Sequence, residues 1–114
     1  MRTAKLAFAV VAAIAFIPAP AMAQGPYPNR VIRVIVPFPA GGSLDTLTRA
    51  VCARLQAQMG QPFTVENRPG ASGNIGAEAV AKAAPDGHTL LASLAAITIN
   101  PHLQKNVPFD VTKD

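Results

Sequence analysis

A glycine pair, a serine and an aspartate lie close together where an apolar run ends and a helical pattern begins: Gly41, Gly42, Ser43 and Asp45 in the stretch VPFPAGGSLD. Glycines let the backbone turn tightly and let a ligand approach its N–H groups. The first N–H groups of a helix have no partner inside the helix, and the helix dipole is positive there. The pattern therefore indicates either a backbone site for a small carboxylate or phosphate, or an ordinary tight turn between a strand and a helix.

A second stretch of the same kind occurs further along the chain. Asn74 can cap a helix, and Gly70, Gly73 and Gly76 surround it in NRPGASGNIG. These glycines do not form the dinucleotide fingerprint, which needs G-x-G-x-x-G after the first strand, and no Gly-Lys-Ser/Thr phosphate loop is present. Two helix N-termini at one cleft could hold a small anion by backbone donors.

The remaining reactive residue types form no catalytic pattern. His88 and His102 are isolated, and no spacing ties either of them to Cys52, the one cysteine. A single cysteine cannot form an internal disulfide, so we expect Cys52 to be a buried packing residue. His88 is expected at the surface or in a turn. The sequence predicts no catalytic residue, no metal site and no cofactor.

The first 23 residues have the three parts of a secretory signal peptide. Arg2 and Lys5 precede an uncharged apolar run over residues 6–17, and Ala21-Met22-Ala23 is a small-x-small cleavage site. The apolar run is too short to span a bilayer, whose hydrocarbon layer is about 30 Å thick. We therefore expect export to the periplasm with cleavage after Ala23.

Composition argues against nucleic-acid binding. The chain of 114 residues carries ten basic and six acidic side chains. Cleavage after Ala23 removes Arg2 and Lys5, which leaves eight basic and six acidic residues, a net charge of +2. The remaining arginines are scattered and aromatic residues make up only 5% of the chain. Nucleic-acid binding requires clustered Lys and Arg, so the sequence predicts no nucleic-acid partner.

The elements that position these loops alternate between strands and helices. Residues 31–36 (VIRVIV), 62–66 and 88–92 read as strands. A helix is predicted from Ser43, its N-cap, to Gly60, with apolar residues on one face: Leu44, Leu47, Val51, Leu55 and Met59. A second helix is predicted from Asn74, and the type of residues 93–98 is left open. A β-α-β-α-β order predicts an α/β fold with a parallel sheet.

Parallel strands joined by right-handed crossovers place their following loops at one edge of the sheet. The loops at residues 37–43, 67–74 and 93–100 are therefore expected to meet at the carboxyl edge. Ligands of open α/β sheets bind at this edge.

Three stretches together resemble one receptor family: YPNRVIRVIVPFPAGGSLD, GQPFTVENRPGASGNIGAEAVAKAAPDGHTLL and INPHLQKNVPFDVTKD. They resemble the Bug-type receptors, the periplasmic substrate-binding proteins of tripartite tricarboxylate transporters. Val31 departs from the family pattern, which usually has proline there. The resemblance implies a two-lobed periplasmic-binding-protein fold of type II-like architecture. It also implies binding of a small organic acid without catalysis, and membrane transporter subunits as partners.

The resemblance also implies which residues lie near the ligand. The first loop would form one wall of the cleft, with the anion-binding turn at Gly41, Gly42 and Ser43. Asp45 would order the turn directly, through water, or by binding a ligand amine or backbone N–H groups. The expected ligand-binding residues are Phe38, Ala40, Gly41, Gly42, Ser43, Asp45, Gly73, Asn74, Ser93 and Asn100.

The resemblance implies a longer protein than this sequence. We expect residues 24–114 to be the N-terminal part of the first lobe, truncated before the second lobe. Two alternatives stay open: a non-functional truncated receptor fragment, and a nucleotide-binding α/β enzyme domain.

Overall fold

The computed structural model describes residues 25–113, so the predicted signal peptide lies outside the described residues. Three strands, three α-helices and one 3-10 turn follow one another in the order β1 (Ile32–Val36), α1 (Ser43–Met59), β2 (Phe63–Asn67), the 3-10 turn (Ala71–Gly73), α2 (Asn74–Ala81), β3 (Thr89–Leu91) and α3 (Ala96–Leu103). The predicted β-α-β-α-β order is confirmed, and the open segment after β3 forms α3.

The three strands form one parallel sheet in the order β2-β1-β3. Ile32 pairs with Phe63, and Val34 pairs with both Val65 and Leu90. β1 is central and carries the most buried side chains, because β-branched residues suit a strand covered on both faces. β2 lies on one side of β1, and β3 lies on the other. Right-handed crossovers therefore place α1 and α2 on opposite faces of the sheet.

The core on the α1 side is small. Ile32, Val34 and Cys52 are buried together, with Phe63 and Val65 packed against them. Cys52 is a buried packing residue, as predicted, and burial raises the pKa of its thiol. Gly60 ends α1 in the left-handed conformation, and its N–H donates to Gln56 O at 3.0 Å. Glycine adopts this conformation without steric cost.

The apolar stripe of α1 is not the face that the helix buries. The side chains that the helix buries are Asp45, Thr48 and Cys52, whereas Leu47 and Val51 are 62% and 49% exposed. The reason is that α1 packs over β2 and β1, and polar side chains on its buried face are satisfied locally. Thr48 Oγ1, for example, donates to Leu44 O at 2.7 Å.

The apolar stripe of α1 instead borders an open groove of about 320 Å³ beside β3, with Val34 and Leu90 on its floor. We predict that Leu47→Lys, at the rim of this groove, changes the free energy of unfolding by less than about 0.5 kcal/mol. Urea unfolding followed by circular dichroism measures this change. A loss of several kcal/mol would show that Leu47 is a core residue after all.

The prediction for His88 is also partly wrong. His88 lies in the turn before β3, but only 8% of it is exposed. Its Nδ1 lies 3.1 Å from Asp86 O, and its ring packs edge-on against Tyr27, with centroids 5.0 Å apart. Tyr27 Oη in turn donates to Gly87 O at 2.8 Å. The lead-in segment covers the histidine, which a local sequence pattern could not reveal.

Within residues 25–113, no helix is both long and apolar enough to cross a membrane.

Candidate functional site

The loops that follow the three strands begin side by side at the carboxyl edge of the sheet. Val36 at the end of β1 is in register with Asn67, and Arg68 N donates to Val36 O at 2.8 Å. On the other side, Ala92 N donates to Ile35 O at 2.9 Å. The predicted meeting of the three loops at one edge is therefore confirmed.

The first loop leads into α1 through Gly41 and Gly42. Gly41 has a φ of 83°, a left-handed conformation that other residues rarely adopt. Gly42, with φ −72° and ψ 168°, is the N-cap, so Ser43 is the first helical residue and not the cap as predicted. No side chain caps this end of α1. The first amides of the helix are left as donors for an outside acceptor.

Asp45 orders the loop from inside. It is only 4% exposed, and its oxygens accept from three groups. Gly41 N donates to Oδ2 at 2.8 Å, and Arg49 Nε lies 3.1 Å from both oxygens. Asn67 Nδ2 donates to Oδ1 at 2.9 Å. Of the roles expected for Asp45, the structure contains the contact with a backbone N–H group.

These contacts favour the ionised carboxylate. The hydrogen bond from Arg49, followed by those from Gly41 and Asn67, lowers the pKa of Asp45 to about 2, against the partial opposition of burial. Three N–H groups of the protein reach the two carboxylate oxygens, and the single N–H of Arg49 Nε is shared between them. These contacts make Asp45 a support for the loop.

Asn67 is a site residue that the sequence analysis missed. Its Nδ2 donates to Phe38 O at 3.2 Å as well as to Asp45, and its Oδ1 accepts from Arg49 Nη2 at 3.0 Å. One amide thus joins the end of β2, the first loop and α1. The available signal was the position of Asn67 at the end of a strand beside Val36, where a polar side chain points to the loop edge.

We predict that Asn67→Ala destabilises the protein by about 1 kcal/mol, because Phe38 O and the Arg49 guanidinium lose a partner. Thermal unfolding followed by circular dichroism measures this loss. Thr64→Ala on the exposed part of the same strand is the matched control and should change stability much less. Equal losses for the two variants would contradict a special role for Asn67.

The second loop packs under the first. A Cβ on Gly73 would lie 3.5 Å from Pro37 Cβ and 3.7 Å from Phe38 Cζ, so the Phe38 ring rests against this turn. Gly73, with φ 95°, is the N-cap of α2 and Asn74 is its first residue, so the helix begins one position earlier than predicted. Asn74 is buried, and its Nδ2 donates to Gln104 Oε1 at 2.7 Å.

Asn100 joins the third loop and α3 to the second loop by hydrogen bonds. Its Nδ2 donates to Ser72 O at 3.0 Å and to Asn74 Oδ1 at 2.8 Å. Both N–H bonds of the Asn100 amide are therefore used within the protein, and only its oxygen remains for another partner. The geometry gives Asn100 and Asn74 a joining role between loops.

A cavity of about 290 Å³ opens at the start of α1. Its lining residues are Phe38, Pro39, Gly42, Ser43, Leu44, Asp45 and Leu94. Four of the predicted ligand-binding residues are among them, and Leu94 was missed. The other predicted residues lie outside this lining: Ala40, Gly41, Gly73, Asn74, Ser93 and Asn100. Ser93 lines the groove beside α1 instead. Contact of any of these residues with a ligand stays a prediction.

Two other features of the described chain do not add to this site. A larger depression of about 450 Å³ between α3 and residues 109–112 contains none of the predicted site residues. Among residues 25–113, no three His, Cys, Asp or Glu side chains are grouped so that they could hold a metal ion.

Comparison with known proteins gives the family. Residues 47–114 match the family model described as the tripartite tricarboxylate transporter family receptor. The chain belongs to the tripartite tricarboxylate transporter receptor family. BugT of Bordetella pertussis, strain Tohama I, is 47% identical over 90 residues, which cover 77% of this chain and 28% of BugT.

Solved structures of this receptor family have the same fold. An R. palustris protein solved with adipate is 38% identical, with a TM-score of 0.73 over 77% of this chain and 30% of its own. MatC from Rhodopseudomonas palustris, solved with malate, is 48% identical, with a TM-score of 0.55 over 57% of this chain and 22% of its own. The predicted periplasmic-binding-protein fold is confirmed for a partial domain. The chain spans under a third of the length of these relatives.

Proposed function

We propose that this chain forms the ligand-facing part of the first lobe of a periplasmic receptor. The receptor captures a small organic acid, without catalysis, for a tripartite tricarboxylate-type transporter. The observation that carries the proposal is the uncapped N-terminus of α1, which opens into the cavity at the carboxyl edge of the sheet. The acids named for the two solved relatives, adipate and malate, are both small dicarboxylates.

The chemistry of the cavity suits a carboxylate bound by backbone donors. No Lys, Arg or His is among its lining residues, so the attraction comes from helix amides and the helix dipole. Among residues 25–113, no partner accepts from or donates to the Ser43 hydroxyl, which leaves it as a further donor. The Arg49 guanidinium supports the turn through Asp45 and does not line the cavity.

The proposal includes the cellular location and the domain division. Residues 1–23 act as the export signal, and residues 24–114 are the N-terminal part of the first lobe. The other wall of the cleft comes from polypeptide that corresponds to the remaining length of the relatives. Intact-mass measurement of the periplasmic protein tests the location: an N-terminus at Gln24 supports it, and retention of Met1 contradicts it.

The binding proposal is tested by titrating the chain without residues 1–23 with adipate and following its amide resonances by NMR. We expect the largest shifts at the amides of residues 43–45, and none with adipamide, the neutral analogue. Absence of shifts up to high millimolar adipate would favour the alternative that this chain is a non-functional receptor fragment.

A substitution of Ser43 separates the backbone donor from the hydroxyl. Proline suits the first position of a helix, and the extended conformation of Gly42 suits a residue before proline. Ser43→Pro therefore removes one amide donor and keeps the helix, whereas Ser43→Ala removes only the hydroxyl. We expect Ser43→Pro to weaken adipate binding more than Ser43→Ala. Unchanged affinity in both variants would place the anion elsewhere.

A further inference from the structure

The side chains around the carboxylate position define a second, apolar part of the cavity. Phe38, Pro39, Leu44 and Leu94 contribute hydrocarbon surface, and they come from the first loop, α1 and the third loop. Leu94 is 50% exposed although it is a large apolar residue. Exposed apolar surface grouped beside polar donors is typical of ligand pockets.

The apolar side chains Phe38, Pro39, Leu44 and Leu94 offer no acceptor, and the Ser43 hydroxyl, which can both donate and accept, lies at the start of α1. Asp45 is the only carboxylate among the lining residues; it is 4% exposed, and its oxygens already accept from Gly41, Arg49 and Asn67. The amides at the start of α1 can only donate. A hydroxyl or ammonium group of a ligand that pointed at the leucines would therefore lose its hydrogen bonds to water and gain none from this wall.

We propose that the acid bound here presents an unsubstituted hydrocarbon chain to Phe38, Leu44 and Leu94. The ligand class is thus an aliphatic carboxylate, and neither a hydroxy acid nor an amino acid. This inference rests on the proposed function and narrows its range of ligands. Of adipate and malate, the cavity favours acids such as adipate, which carry no hydroxyl group. Leu94 is the specificity-determining residue, because it is the third-loop side chain that closes the apolar side of the cavity.

Pairs of acids that differ by one hydroxyl test this proposal directly. The chain without residues 1–23 is titrated with succinate and malate, and with glutarate and 2-hydroxyglutarate, by the same NMR experiment. We expect the unsubstituted acid of each pair to bind about tenfold more tightly, since a hydroxyl against an apolar wall is disfavoured but not excluded. The Leu94 methyl resonances should shift together with the amides of residues 43–45.

Two leucine variants test whether the apolar side of the cavity causes the preference for unsubstituted acids. Leu94→Asn supplies a hydrogen-bonding side chain and should reduce the preference within each pair to about twofold. Leu47→Asn, at a more exposed position outside the cavity, is the matched control and should leave the preference unchanged. Both positions are at least half exposed, so neither change removes a core side chain.

The outcomes are distinguishable. Equal or tighter binding of the hydroxy acids overturns the inference about the hydrocarbon chain and leaves the proposed carboxylate receptor in place. A preference that persists in Leu94→Asn overturns the role of Leu94. If none of the acids shifts the amides of residues 43–45, both the inference and the proposed function are wrong.

Discussion

Replacing Gly76 with valine is expected to destabilise the protein by about 3 kcal/mol, the upper end of the cost of overpacking a core. A Cβ at this position of α2 would lie 2.7 Å from Pro37 Cβ and 3.0 Å from both Pro37 Cα and Arg68 O. Pro37 is among the most deeply buried residues of the chain. Neither it nor a backbone carbonyl can move aside without shifting a loop, so α2 must separate from the first loop. Urea unfolding followed by circular dichroism measures the loss.

The same substitution at Gly25 is the control, because nothing lies within 4 Å of a Cβ built there. Gly25→Val should leave the free energy of unfolding almost unchanged. Gly76→Ala is the milder test: alanine favours a helix by about 1 kcal/mol over glycine, yet we expect a net loss because the added methyl group clashes. A stabilised Gly76→Ala protein would show that α2 does not approach Pro37 as closely as described.

Replacing Asp45 with asparagine is expected to lower the thermal midpoint at neutral pH and to change its dependence on pH. Asparagine keeps the size of the side chain but puts an NH₂ group where one acceptor oxygen stood. That NH₂ group must then face a donor from Gly41, Arg49 or Asn67, and the polar cluster loses its charge balance. The Arg49 side chain is 50% exposed, so water can solvate its charge in the variant, and the main loss comes from the hydrogen bonds of the buried carboxylate.

The direction of the pH effect follows from the lowered pKa of Asp45. The carboxyl pKa falls from 3.8 to about 2 on folding, so the native state favours the ionised form. Its contribution to stability is complete above about pH 4 and is lost as the pH falls through about 2. The thermal midpoints of wild type and Asp45→Asn should therefore converge between pH 4 and pH 2.

Other carboxyl groups titrate in the same range, so only the difference between the two proteins is informative. Folding also lowers the pKa values of Glu66, Asp86 and Asp110. Glu78→Gln, which removes a surface ion pair with Lys82, is the control and should run nearly parallel to wild type. A constant gap between wild type and Asp45→Asn from pH 7 to pH 2 would contradict the assignment.

The strands and helices were predictable because their signals are local. The β-branched run of β1 and the glycine stop at Gly60 each act within a few residues of sequence, and both were placed correctly. The two helix starts were misplaced by one residue, since Gly42 and Gly73 act as N-caps in place of Ser43 and Asn74. The apolar stripe did not identify the buried face of α1, because the packing of the helix over β2 and β1 decides which side chains are buried.

The turn at the start of α1 was predictable because its signal is a glycine pair next to a helical pattern. Gly41 and Gly42 identify the turn, and the three loops follow from parallel topology. Asn67 and Leu94 were missed because their roles depend on partners distant in sequence, such as Phe38, which is 29 residues from Asn67. The mutual hydrogen bond of Asn74 and Asn100 was likewise hidden, since 26 residues separate them.

The ring of Asp45, Arg49 and Asn67 has a consequence for how such a receptor can change its preference over evolution. These side chains set the path of the loop backbone, whereas Phe38, Leu44 and Leu94 supply the surface that a ligand would touch. The residues that set the loop backbone and the residues that line the cavity are thus largely separate. A combinatorial library confined to the lining residues should yield many folded variants with new selectivity, while the same effort spent on the ring should yield mostly unfolded ones.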